Sequence, residues 1–181
     1  MLTTEECLLS EVQARNPGMD RDEIEAVFAK YLGIEQTLWL KHGIAGDDTH
    51  GHVDDLARFT DERTIVIVQE AERGDANHEP LAENLALLKR IARGIRVVTL
   101  PMPEPVWFGG QRLPASYANF YVANGIVLVP VFHDARDREA LNTLAKLFPS
   151  RRIVPIYCRD LVLGLGTLHC MTQQEPRRMK A

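Results

Sequence analysis

The sequence has 181 residues, 45% of them hydrophobic and 25% charged, with a net charge of −4. That balance fits one soluble domain with a sizeable core; it argues against a nucleic-acid surface, and no apolar run reaches membrane-spanning length. The opening Met1-Leu2-Thr3-Thr4-Glu5-Glu6 lacks the basic and apolar regions of a signal peptide, and Cys7, Cys158 and Cys170 are too widely spaced for a disulfide framework, so a reduced, cytoplasmic setting is expected.

Residues 1–19 read as a mixed segment that closes on the turn signal Arg15-Asn16-Pro17-Gly18. A first helix follows. Asp20 caps it, Glu23 completes a capping box, and Gly33 ends it. Its apolar residues Ile24, Val27, Phe28, Tyr31 and Leu32 fall on one stripe, which predicts a buried face. Thr37–Leu40 reads as a short buried strand, and Thr64–Val68 as a β-branched one. A second helix begins near Pro80 and buries Leu81, Leu85, Leu88 and Ile91, with Gly94 after it. Ile95–Leu100 is another strand. Pro101 to Ser116 reads as one long loop. Two strands, Asn119–Val122 and Ile126–Val129, are joined across Asn124-Gly125, the strongest short-range hairpin signal. A third helix starts near Asp137, buries Ala140, Leu141, Leu144 and Leu147, and stops at Pro149. Arg152–Ile156 is a strand whose Pro155 suggests a sheet edge or a bulge. The basic residues Arg177 to Ala181 are expected to fray.

The three helices start near Asp20, Glu79 and Asp137, about 58–60 residues apart, which marks an internal repeat. Each is followed by a strand and a loop: Gly46–Asp55, Pro101–Ser116 and Leu163–Cys170. Equivalent loops of repeated units arranged about an axis meet at one end. This predicts that His52 and Cys170 come together.

The densest chemistry lies in Gly46–Asp55, ten residues with four carboxylates and two imidazoles. In an extended segment Asp48, His50, His52 and Asp54 share one face. A solvated acidic turn, a metal site and a proton-transfer and cation-binding row all fit that spacing. Cys170, in a glycine-punctuated loop beside His169, is the candidate nucleophile; an inert packed thiol is the alternative. His52 is the candidate acid/base. Asp54 and Asp48 suit a planar cation, whose guanidinium fork matches a carboxylate. His50 and Asp55 carry no firm role, Asp55 falling opposite Asp54 if the segment is extended. Asn119 bonds substrate or caps a turn. Trp107 and Phe108 wall an alkyl pocket or pack the loop.

Gly46-Asp47-Asp48-Thr49-His50-Gly51-His52-Val53-Asp54 with Ala57-Arg58-Phe59 resembles the histidine motif of the agmatine deiminase and bacterial-type (Porphyromonas-type) peptidylarginine deiminase family. Gly164-Leu165-Gly166-Thr167-Leu168-His169-Cys170-Met171-Thr172-Gln173-Gln174 resembles its cysteine motif. Thr3-Thr4-Glu5-Glu6-Cys7-Leu8-Leu9 and Ser116-Tyr117-Ala118-Asn119-Phe120-Tyr121 are similar to further family segments, in family order. The resemblance implies an α/β (α+β) pentein propeller of ββαβ units, with about three of the five units in residues 1–181 as a single domain. It implies a hydrolase in which Cys170 attacks the guanidinium carbon, His52 is the acid/base, Asp54 clamps the guanidinium, and a thiouronium intermediate forms without metal or cofactor. Asp48, Asp54, Asn119 and Trp107 are its expected substrate contacts. Asp48 stands where agmatine-specific members carry Glu, and His50 where they carry Asp. Agmatine and peptidyl-arginine are therefore both expected substrate classes. The family's N-terminal half, with its other guanidinium-binding carboxylate, has no counterpart segment in this sequence. Self-association, pairing with such a half, or a catalytically incomplete chain are the corresponding expectations.

Overall fold

The computed structural model describes residues 1–175. The basic residues Arg177 to Ala181, expected to fray, lie outside them. The elements in order are β1 (Leu2–Thr4), α1 (Glu5–Leu9), α2 (Arg21–Leu32), β2 (Leu38–Leu40), β3 (Ala57–Asp61), β4 (Thr64–Gln69), α3 (His78–Ile91), β5 (Arg96–Pro101), β6 (Val106–Phe108), β7 (Gln111–Leu113), β8 (Tyr121–Ala123), β9 (Ile126–Val131), α4 (Asp137–Leu147) and β10 (Arg152–Tyr157).

The internal repeat is visible in the sheets. β4 pairs antiparallel with β3 and parallel with β5, so β3-β4-α3-β5 is a ββαβ unit. β8-β9-α4-β10 repeats it. Parallel neighbours need a crossover, and α3 and α4 supply it. β1 and β2 are likewise parallel and joined through α1 and α2, as a two-stranded sheet. The central strand β4 is covered on both faces, which is why Thr64-Ile65-Val66-Ile67-Val68 reads as an unbroken buried run. The Asn124-Gly125 turn joins β8 to β9, with Gly125 at φ 77°. Pro155 lies on β10 at the edge of its sheet, where its missing N–H costs no ladder bond.

Two expectations need correction. Pro101–Ser116 is not a bare loop, since β6 and β7 form a hairpin across Gly109-Gly110. The mixed opening segment holds β1 and the short helix α1, whose N-cap Thr4 accepts from the Cys7 N–H. The first helix keeps its predicted boundaries and its capping box, but not its predicted burial. Of the five stripe residues only Ile24 is buried; Val27, Tyr31 and Leu32 are 41%, 70% and 62% exposed. In α3 and α4, by contrast, Leu81, Leu88, Ala140 and Leu144 are fully buried over three-stranded sheets. Among the described residues no helix is long and apolar enough to cross a membrane.

Candidate active site

The loops following β2 and β10 converge on the side chain of Asn119, which stands in the segment between β7 and β8. The loop after β2 is held from behind by α3. Asn84 accepts from the Lys41 N–H (2.8 Å) and donates to the His42 carbonyl (2.7 Å), and Asn77 accepts from the Ala45 N–H (2.7 Å). Gly51 packs so closely on the first turn of the chain that a Cβ there would meet Thr4 Oγ1 at 2.8 Å. The chain then enters a single 3-10 turn at Val53–Asp55 before β3.

That turn overturns the extended-row expectation. Asp48, His50, His52 and Asp54 do not line one face: His50 adopts φ 62°, Asp48 is exposed, and Asp54 and Asp55 point together at Asn119. In a tight helical turn two consecutive carboxylates reach one partner, as they cannot on a flat strand.

Asn119 is fully buried and engaged at both ends of its amide. Its Nδ2 donates to Asp54 Oδ2 (3.1 Å), Asp55 Oδ1 (2.9 Å) and Cys170 Sγ (3.1 Å). Its Oδ1 accepts from the Thr167 hydroxyl (2.9 Å) and from the N–H groups of Thr167 (3.2 Å), His169 (3.0 Å) and Cys170 (3.3 Å). One side chain thus shapes the cysteine loop and ties it to both carboxylates. Arg58 fixes the Asn119 turn by donating to the Phe120 carbonyl (2.9 Å) and the Ala118 carbonyl (3.3 Å), and Ser116 Oγ donates to the Asp55 carbonyl (2.6 Å). In the cysteine loop Gly166 is required by proximity, because a Cβ there would sit 2.6 Å from that of Cys170.

Cys170 and Asp54 are 116 positions apart in sequence, yet Sγ and Oδ2 are 3.3 Å apart. His169 Nδ1 lies 2.7 Å from the same Asp54 oxygen. Burial raises the Asp54 pKa, but the hydrogen bond and charge of His169, the thiol and the charge of His52 outweigh it and bring it to about 2. Asp55 behaves oppositely. Burial first, then the charges of Asp54 and Asp47, hold its carboxyl well above the usual range. Burial, then the charges of Asp55 and Asp54, pushes the Cys170 thiol up to about 12. The residue itself is exposed; its sulfur is hemmed in on the carboxylate side. Cys7 and Cys158 also have raised pKa values, mainly through burial, and Cys158 is fully buried.

His52 does not bond Cys170 directly. Its Nδ1 lies 3.0 Å from Thr49 Oγ1 and its Nε2 lies 2.6 Å from an Arg15 Nη. It adjoins the centre through Asp54, whose carboxyl is held down in part by His52 when that ring is protonated. Asp48 lines a cavity of about 270 Å³ with Gly46, Asp47, Gln111 and Arg112. Trp107 stands on β6 at 60% exposure, beside Phe108 at 65%. The hairpin carrying them is fixed through Arg112, which pairs with Trp107 across the strands and donates two hydrogen bonds to Asp75 (2.9 Å each). Asp54, Asp55 and Cys170 bring two carboxylates and a sulfur within 4.8 Å of one another. Their common neighbour is an amide N–H, so the cluster presents negative potential to any cation arriving from the exposed side of Cys170. Asp55, His169, Arg58 and the dual role of Asn119 escaped the sequence reading. The sequence signal for His169 was its place beside Cys170; for Asp55 none survived the extended-strand assumption.

Residues 1–176 match the model of the Porphyromonas-type peptidyl-arginine deiminase family. A relative from Latilactobacillus sakei that carries the agmatine deiminase name is 37% identical over 198 residues, covering 97% of this chain and 54% of its own. The structure of a cysteine-to-serine agmatine deiminase from C. jejuni with substrate bound superposes with TM-score 0.87 at 34% identity, over 93% of this chain and 50% of that one. A Porphyromonas gingivalis structure named for an arginine deiminase superposes with TM-score 0.91 at 43% identity, over 97% and 53%. The mixed α/β fold is that of the agmatine deiminase structures, and this chain spans about half the length of the relatives it matches. By the family match and by the fold, the chain belongs to the Porphyromonas-type peptidyl-arginine deiminase family.

Proposed function

We propose that this chain carries the chemical half of a guanidine deiminase, converting agmatine and water to N-carbamoylputrescine and ammonia. The observation that supports it is the approach of the Cys170 thiol to Asp54 under a shared Asn119 amide. The Cys170 thiol gives up its proton to the neutral His52 as the sulfur bonds the guanidinium carbon, and the tetrahedral adduct expels ammonia as His52 passes that proton to the leaving nitrogen. The resulting S-alkylthiouronium is attacked by water, with His52 as base, and the thiolate leaves as the ureido product forms.

The charges explain the order of events. A thiol near pKa 12 is almost wholly protonated at neutral pH. Thiolate is the nucleophile, so the free site is quiet, by about three orders of magnitude relative to an ordinary cysteine. A guanidinium placed against Asp54 offsets the carboxylate share of that shift, so substrate binding favours nucleophile activation. Asp54, ionised throughout the physiological range, is the clamp. Asn119, with both amide ends engaged by the protein, positions the sulfur rather than the substrate. Asp48 and Trp107, on the rim near the β6–β7 hairpin, receive the alkyl tail. Deimination of peptidyl-arginine is the second reading; the exposed Trp107 and Phe108 favour it, because an open rim admits a chain on either side of the guanidine.

We infer further that β1-α2-β2 is an incomplete unit, that the units belong to a five-unit propeller, and that an N-terminal half or a second copy completes the guanidinium site. The test is incubation of the chain with a haloacetamidine, alone and with an N-terminal half of a relative. Alkylation of Cys170, lost in Asp54→Ala, is expected. Labelling of Cys7 or Cys158 in its place sinks the reading. Ureido product from agmatine against an arginyl peptide then separates the two substrates.

A further inference from the structure

The strap between α1 and α2, residues 10–20, lies across the histidine loop. Gln13 Nε2 donates to the Asp48 carbonyl (2.9 Å), and an Arg15 Nη donates to the Thr49 carbonyl (3.1 Å). The same Nη is 2.6 Å from His52 Nε2. A guanidinium has only donors, so Nε2 must be the acceptor. His52 is therefore neutral here, with its proton on Nδ1. That proton points at Thr49 Oγ1 (3.0 Å), whose own hydrogen goes to Asp47 Oδ1 (2.6 Å). Asp47 Oδ2 also accepts from the His52 N–H (2.7 Å). The chain Arg15–His52–Thr49–Asp47 leaves one assignment of every hydrogen, and it spends the lone pair of His52 on an arginine of the protein itself.

We propose that Arg15 is an internal guanidinium cap on the acid/base nitrogen of His52, occupying the place of the substrate nitrogen that is to leave. The inference rests on the proposed deiminase reading for what the cap competes with, though not for the cap itself. Arg15 and its neighbours from Glu11 to Gly18 are exposed, and the strap is held to the histidine loop by the Gln13 and Arg15 contacts. Lifting the strap frees Nε2 without disturbing the Thr49–Asp47 relay that sets the tautomer. An incoming guanidinium of the same shape and charge displaces its internal counterpart by like-for-like exchange. Arg15 then acts on selectivity, since a ligand that cannot replace a guanidinium at Nε2 gains nothing by opening the strap.

The test is acylation of His52 by diethyl pyrocarbonate, which attacks a free imidazole lone pair, followed by peptide mass spectrometry on the full chain. The exposed His42 serves as internal ruler. Arg15→Ala is expected to speed His52 acylation by on the order of fivefold, the loss of one exposed charge-assisted hydrogen bond, with His42 unchanged. Arg15→Lys, which keeps a donor and the charge, is expected to fall between. Equal His52 rates in the three proteins overturn the cap, whatever the activity. If the rates separate as expected but agmatine and arginyl peptides, with an N-terminal half of a relative supplied, neither slow the acylation nor turn over, the cap stands and the deiminase reading fails.

Discussion

The β1-α2-β2 unit and the two ββαβ units are built from the same pattern and end differently. Each helix carries an apolar stripe at helical spacing, and each crosses between parallel strands. α3 and α4 bury theirs against three-stranded sheets. α2 leaves Val27, Tyr31 and Leu32 in solvent over a sheet of two. Periodicity therefore specifies which face of a helix is apolar. What lies opposite that face specifies whether it is buried. The stability of this chain is expected to reside in the two complete units, and the candidate site hangs between them.

Truncating both kinds of stripe breaks or sharpens that contrast. Leu88→Ala and Leu144→Ala should each cost roughly 2–5 kcal/mol in urea unfolding, as buried leucines in packed cores do. Leu32→Ala should cost under about 0.5 kcal/mol. Equal losses would end the comparison. Asn119→Ala should cost roughly 1–3 kcal/mol by stripping the amide from the buried Asp55 and from Asp54, and should abolish Cys170 alkylation by guanidine mimics.

The adjacent carboxylates give a smaller effect of known sign. Asp54 has a depressed folded pKa, so its contribution is present above the unfolded value and is lost as pH falls through about 4 towards 2. Asp54→Asn should flatten that limb, by roughly 2 kcal/mol at most. Asp55 has a raised folded pKa, so its contribution is present below the unfolded value and is lost as pH rises. Asp55→Asn keeps an acceptor for Asn119 and should gain stability over wild type as pH climbs from 4 to 7. A loss at pH 7 would show that Asp55 is charged in the folded protein. Smallest of all, Asp20→Ala removes the α2 capping box and should cost about 1 kcal/mol, less if an unsupported α2 already frays.

Local rules were legible where the local sequence decides. Asp20, Glu23 and Gly33 bounded α2, Asn124-Gly125 set the β8–β9 hairpin, and Pro155 marked an edge strand. The convergence of the loops followed from the repeat alone. What escaped depends on partners remote in sequence. Alternation suggested an extended row at Asp48–Asp54, but contacts from Thr4, Asn77 and Asn84 fold that segment back, and a 3-10 turn delivers Asp54 and Asp55 together. The β6–β7 hairpin was masked by the prolines before Trp107, although Gly109-Gly110 marked its turn. Asn119 read as a substrate contact or a turn cap, because an amide bonded at both ends to remote loops leaves no trace in spacing.

The paired hydrogen bonds from Arg112 to Asp75 tie β7 of the β6–β7 hairpin to the turn ahead of α3, while Trp107 and Phe108 on β6 stand largely in solvent. Such an arm can be exchanged like a tool head. Its tip can be rewritten for a different tail, long or short, polar or greasy, and the machinery that breaks the carbon–nitrogen bond remains untouched.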